Sequence, residues 1–406
     1  MSARLPRQIP YIIGNEACER FSFYGMRNIL VPFLISSILL AYLPDGEREG
    51  AAKDVFHTFV IGVYFFPLLG GWLSDRFFGK YNTVLWLSMV YVAGHACLAL
   101  FEDNRTGFYT GLFLIALGSG GIKPLVSAFV GDQFDQSNKS LAKIVYDGFY
   151  WTINFGSFFA SLLMPIFLRD YGPSVAFGIP GVLMALATLI FWAGRHKYVH
   201  VPPSASDPHS FLRVLRSALL GGQGGGTGLL VAAGGVVLGV VAFAWIWWAS
   251  GFSATEFVIA ALVGLGLVIA GVGFGASLQL ERARAAHPDS AVDGARAVLR
   301  ILIVFALVTP FWSLFDQKAS TWIIQGREMV MPHDQWWWPS WLVREPAQMQ
   351  ALNPILVMML IPFNNVVLFP LVRRMGFEVT ALRRMGVGIA FSGLAWIVAG
   401  WLQLAL

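Results

Sequence analysis

Apolar stretches of membrane-crossing length recur from one end of this chain to the other, and they decide what it can fold into. They run at about 9–42, 55–75, 83–102, 107–131, 145–168, 174–194, 228–249, 254–279, 301–326, 351–372 and 380–405. Each is near the roughly 20 residues that carry a helix across a bilayer. Inside the hydrocarbon every backbone polar group must be bonded within its own segment, so such stretches form helices. Eleven spans are therefore expected. Composition agrees: 56% of the 406 residues are hydrophobic and 13% charged, against about 25% charged in soluble domains. A soluble fold is excluded. Met1 to Pro10 is short, polar and basic. The apolar stretch after Pro10 is too long and too charged for a cleavable signal, so the first span is expected to direct its own insertion.

Cys18 and Cys97 both fall inside apolar runs, as small core residues do, and neither suggests a disulfide or a metal site. No cofactor is expected. The net charge of +5 is spread over many loops, which leaves no basic patch for nucleic acid. Its distribution instead orients the chain. With the N-terminus in the cytoplasm, eighteen of the 28 lysines and arginines fall on that side and six outside, with Arg20, Arg27, Lys123 and Lys318 at membrane depth. That asymmetry is the positive-inside pattern. Trp336, Trp337, Trp338 and Trp341 in the outer segment Met331 to Gln348 form the expected interfacial aromatic belt. A polar break from Arg195 to about Ser217, with Pro202, Pro203 and Pro208, divides the chain. The expected organisation is a six-helix bundle at 1–200, a linker with two inserted spans at 201–295, and a further bundle at 296–406.

The informative residues are those that a membrane span should lack. The first span holds Glu16, Glu19, Arg20 and Arg27, and an ionised group at mid-bilayer costs at least about 2.5–3.5 kcal/mol. Glu16, Arg20 and Tyr24 are successive i, i+4 neighbours, and Glu19, Phe23 and Arg27 run alongside, so the charges share one stripe. That stripe must face partners or water. An internal salt-bridge cluster would satisfy it, but buried ionisable residues in membrane helices more often mark a substrate or proton path. Lys123 stands in Gly118-Ser119-Gly120-Gly121-Ile122-Lys123-Pro124, where small residues admit close helix contact. It needs an acidic partner, for which the glutamates of the first span are the candidates. His57 opens the second span as read from hydropathy, and Asp316 interrupts an apolar run; both can titrate. Lys318 cannot neutralise Asp316 directly, because i and i+2 point apart on a helix.

Gly71-Trp72-Leu73-Ser74-Asp75-Arg76, followed by Gly79-Lys80, falls at the cytoplasmic turn between spans two and three. It resembles the loop motif of the major facilitator superfamily, in which Asp75, Arg76 and Lys80 would hold the inward gate. A second resemblance is more specific. Glu16-Ala17-Cys18-Glu19-Arg20-Phe21-Ser22-Phe23-Tyr24-Gly25 and Phe149-Tyr150-Trp151-Thr152-Ile153-Asn154-Phe155-Gly156-Ser157 resemble the two signatures of the proton-dependent oligopeptide transporters. Phe311 to Gln317, Lys123-Pro124 and Asn353-Pro354 extend the likeness over nearly the whole chain. The spans at 228–279 look like the helix pair that bacterial members insert between their bundles.

The resemblance implies an all-α membrane protein of the major facilitator fold that takes up di- and tripeptides with protons by alternating access. It implies that Arg27 and Lys123 hold the peptide carboxylate, that Asn154 meets the amine, and that Tyr24, Tyr64 and Asn353 line the site. Glu16, Glu19, Arg20, His57 and Asp316 then carry the proton coupling. Lys318 departs from the family pattern, which alters the charge balance around Asp316. The family's roughly twelve core helices exceed the nine counted here besides the inserted pair, so three more are expected beyond Leu406, carrying an acid for the peptide amine. A same-fold carrier of nitrate or peptide-like compounds, or a membrane scaffold that transports nothing, are the rival readings. No HExxH, GxSxG or paired catalytic aspartates suggest an enzyme. The expected location is the inner membrane, with protons, peptides and the lipid bilayer as partners.

Overall fold

The structure, a computed structural model, describes residues 5–203, 207–221, 226–252, 254–329, 332 and 335–404. Met331 and Leu406, which entered the sequence reading as segment ends, lie outside the described residues. No strand occurs among the described residues, as the need for internal backbone bonding demands. The helices are α1 Ile9–Ser36, α2 Asp45–Leu73, α3 Gly79–Leu100, α4 Arg105–Asp132, α5 Ala142–Ala193, α6 Phe211–Leu220, α7 Thr227–Ala249, α8 Ala254–Leu278, α9 Asp289–Asp316, α10 Thr321–Glu328, α11 Leu352–Phe363, α12 Phe369–Arg374 and α13 Ala381–Gln403.

By length and composition, eight helical segments among the described residues can cross a membrane. Two of them, Asp45–Leu100 and Lys139–Ala193, run 56 and 55 residues, more than twice one crossing. The first contains a π-turn, Ser74–Phe78, ended by Gly79 at φ 72°. The second breaks at Gly172, φ 84°. Both breaks need glycine, because a Cβ is strained at positive φ. α1 is not among the eight, because Glu16, Glu19, Arg20 and Arg27 make it too highly charged. Helix ends also differ from the hydropathy limits. α2 starts at Asp45 and not near 55, so His57 sits well inside it. α9 starts at Asp289, within what reads as a charged loop, and ends at Asp316. The 3-10 turn Gln317–Ala319 then separates it from α10, so the run at 301–326 is two helices.

The described residues fall into two compact units, Met1–Pro203 with Ser313–Leu406, and Ser204–Trp312. In the first, α1 lies along α5, α3 packs on α4 and α5, and α2 packs on α4. Fully buried Phe56, Phe108, Phe129, Phe177 and Phe191 fill the space between them. Small residues permit the approach: a Cβ on Gly156 of α5 would stand 2.9 Å from the Ala17 carbonyl oxygen of α1. One on Gly118 of α4 would stand 2.7 Å from Tyr91 Cβ of α3. In the second unit α7 packs on α8 through facing glycines, Gly235 and Gly271 among them. The same unit holds a small core around Val214, Leu280 and Val292. Its loops are tied by Arg284, which bonds Glu281, Asp289 and Asp293. α13 buries no residue, and α11 only Pro354; apolar faces such as these suit lipid contact. Trp336, Trp337 and Trp341 are exposed, as an interfacial belt requires, while Trp338 Nε1 donates to the Val343 carbonyl.

Candidate functional site

The charged stripe of α1 is buried, and it is satisfied mainly from within. Arg20 Nε lies 2.7 Å from Glu16 Oε1 and 2.8 Å from Glu19 Oε2, and all three side chains are nearly inaccessible. One guanidinium held by two carboxylates leaves a net negative charge, which a buried site must offset. Lys123 of α4 offsets it at longer range, as Glu19 and Lys123 act on each other electrostatically. Sequence reasoning offered the glutamates of α1 as candidate partners of Lys123. Their ion pairs go to Arg20, and among the described residues Lys123 makes no ion pair of its own. Its ammonium lies 4.9 Å from the centre of the Tyr64 ring, a cation–π distance.

About two helical turns beyond Arg20 on α1, Arg27 Nη2 donates to Asp316 Oδ1 at 2.5 Å. Both side chains are over nine-tenths buried. Asp316 ends α9, while Arg27 also lies over the Phe56 ring, 5.5 Å from its centre. Tyr64 interacts with Asp316 as well as with Lys123, so one ring touches both charged groups. His57 Nε2 and Ser320 Oγ are 3.2 Å apart, joining α2 to the turn after Asp316. Lys318 donates to Asn353 Oδ1 at 3.1 Å and lies over Phe315; it leaves Asp316 to Arg27, as the i, i+2 spacing requires. Tyr24 interacts with Arg20, Arg27 and Tyr150. Asn154 donates to the Tyr150 carbonyl at 2.8 Å, which leaves its amide oxygen without a bond among the described residues.

The structure thus brings Glu16, Glu19, Arg20, Tyr24, Arg27, Tyr64, Lys123 and Asp316 together, with His57 joined through Ser320 to the turn after Asp316. Lys318 and Asn353 bond each other, and Asn154 bonds a carbonyl of its own helix. The loop motif stands apart. Lys80 Nζ pairs with Asp132 Oδ2 of α4 at 2.6 Å, while Asp75 and Arg76 are exposed on the π-turn. Sequence reasoning missed Asp132, Ser320 and Tyr150. Asp132 was legible as the acid closing span four on the same membrane side as Lys80. Ser320 carried no signal.

A family model described as the POT family matches residues 81–223 and 275–406, more than half of the chain. The structure superimposes on the crystal structure of the POT family transporter PepTSo with a TM-score of 0.90 and 63% identity, covering 99% of this chain and 77% of that one. It also matches the structure of an auto-inhibited POT family peptide transporter, with a TM-score of 0.89, 61% identity, and coverage of 98% and 76%. The chain belongs to the POT family. Among curated relatives, Peptide transporter 3 of Caenorhabditis elegans is 32% identical over 98% of this chain and 51% of its own length. Solute carrier family 15 member 2 of Homo sapiens is 29% identical over 99% of this chain and 49% of its own. The chain spans about half the length of these curated relatives.

Proposed function

We propose that the protein carries di- and tripeptides inward with protons across the inner membrane by alternating access. The observation that carries this reading is the buried Arg27–Asp316 pair. It fastens α1 to the end of α9, and breaking a buried pair costs about 3–5 kcal/mol when one partner is left charged. Two events together release it without that cost. A proton neutralises Asp316 while a peptide carboxylate takes its place on Arg27, so that neither group is left charged and unpaired. A site that needs both ligands to open couples their binding. Lys123, with no ion pair of its own among the described residues, offers the second cation for the peptide carboxylate. The open amide oxygen of Asn154 can accept from the peptide amine. Glu19, partnered only by Arg20 in the cluster, is a second proton site. His57, through Ser320, can report on the state of Asp316 across the turn. Asp75, Arg76 and Lys80 belong to the cytoplasmic gate in this reading, with Lys80 locked by Asp132.

The test is uptake of labelled dialanine by the full-length protein in proteoliposomes, with and without an inward proton gradient. Accumulation above equilibrium is expected only with the gradient. Equal uptake in both conditions overturns proton coupling, and failure of unlabelled dipeptide to compete overturns the substrate class.

A further inference from the structure

Away from the charged stripe, two histidines meet in the second unit. His209 Nδ1 lies 2.9 Å from His287 Nδ1, with the two rings crossed at 84°. His287 is buried, and its other ring nitrogen, Nε2, lies 2.8 Å from Ser217 Oγ. His209 precedes α6 and Ser217 lies on it, while His287 stands in the turn between α8 and α9. One imidazole thus grips α6 and the residue leading into it, beside the small core of Val214, Leu280 and Val292. α9 begins just past His287, at Asp289, and ends at Asp316. The joint therefore holds the entry of the helix whose far end pairs with Arg27. The transport reading gives these histidines no part.

A hydrogen bond between two imidazole Nδ1 atoms needs a hydrogen on one of them and a bare lone pair on the other. The pair can take one further proton on an outer ring nitrogen and keep that bond. A second added proton has only the accepting Nδ1 left, and it sets two N–H donors and two cations face to face. The Ser217 hydroxyl suits either state of His287 Nε2, since it can donate or accept. We propose that His209 and His287 form an acid-released clasp, which holds α6 to the entry of α9 while at most one ring is charged and lets go when both are. The surroundings offer no carboxylate to offset the second charge. Asp207 accepts from the backbone N–H of His209 and not from its ring. Arg213 and Arg216 of α6 add positive charge, α7 carries no charged residue, and α8 carries only Glu256, near its other end. In the turn after α8, Glu281 is held by Arg284 and Arg296, and Arg282 lies beside Gln279 and Gly226. At the start of α9, Asp289 and Asp293 are held by Arg284, Arg296 also reaches Asp293, and Arg300 follows about three turns in. Neither histidine makes an ion pair among the described residues.

Hydrogen exchange of the full-length protein in detergent, read by mass spectrometry and corrected for the chemical rate at each pH, reports on the clasp directly. Histidine gains its charge between about pH 8 and pH 5, so the contact is lost as the pH falls. In the wild type, α6 and the first turn of α9 should be protected at about pH 7.5 and exchange about tenfold faster at about pH 5. His209→Asn puts an amide where the ring Nδ1 stood, and an amide donates or accepts without titrating; protection should then persist at both pH values. His209→Ala removes the partner and should lose the protection at both. Equal wild-type protection at the two pH values overturns the proposal, and so does a His209→Asn variant that loses protection in acid as the wild type does. Neither outcome bears on the transport reading, which dialanine uptake tests by itself.

Discussion

Arg27 and Asp316 are 289 residues apart in sequence and one hydrogen bond apart in space. Asp316→Asn keeps the shape of the side chain and an oxygen for Arg27 but cannot take up a proton. Counterflow exchange of dipeptide should survive in this variant, because it needs no net proton movement, while gradient-driven accumulation falls to a concentration ratio of about one. Radiolabelled exchange and uptake in the same proteoliposomes give both numbers; accumulation at the wild-type level would move the carrier elsewhere, to Glu19 or His57. At this scale the sequence was a good guide to which charged residues share one buried stripe and a poor one to their partners. Four charges on one stripe of an apolar helix are visible as a cost that must be met. Spacing along one helix then fixes which residues share a face, which is why the Arg20 contacts and the separation of Lys318 from Asp316 were accessible. Partners on other helices depend on how the helices rotate and at what depth they cross. Lys123 over Tyr64, and Ser320 beside His57, are outcomes of that packing.

The elements are ordered by small residues and breaks more than by propensity. Gly156 is the test case, since α1 reaches α5 at its bare Cα: a Cβ there would stand 2.9 Å from the Ala17 carbonyl and 3.1 Å from the Phe21 amide nitrogen. Gly156→Val should lower stability by about 1–3 kcal/mol, the usual cost of overpacking, and abolish uptake by moving Arg20 away from its site. Gly148→Ala on the same helix meets nothing within 4 Å and should be neutral or stabilising by up to about 1 kcal/mol. Thermal melting in detergent compares the two; equal melting temperatures would show that α1 and α5 do not depend on this approach. Hydropathy located the spans because the hydrocarbon demands apolar residues there. It misplaced their ends because helical turns that emerge from the bilayer are as polar as loops, as at Asp45 of α2 and Asp289 of α9. It also could not see that Asp316 ends a helix, since the turn Gln317–Ala319 lies within one apolar run.

For the whole molecule, the decisive quantity is the distribution of positive charge between the two sides. Lysines and arginines near the ends of spans resist translocation, so their excess fixes the cytoplasmic side. The loops after α2, α4, α8 and α12 and the helix ends beside them carry Arg76, Lys80, Lys139, Arg282, Arg284, Arg373, Arg374, Arg383 and Arg384, and the loops after α1 and α3 carry few. In the proposed orientation the N-terminal end of α2 and the turn before α4 face outside, with Glu47 and Asp103 exposed there. In the same proposed orientation Lys139 and Arg374, also exposed, face the cytoplasm. Cys18 and Cys97 are half-buried and unpaired, so replacing both with Ser leaves a background for single reporters. Glu47→Cys and Asp103→Cys should react with a membrane-impermeant maleimide in intact cells. Lys139→Cys and Arg374→Cys should react only after the membrane is opened, with at least a tenfold difference in labelling. The inverse pattern would turn the molecule over and put the Lys80–Asp132 contact on the outer face, which overturns its assignment to a cytoplasmic gate.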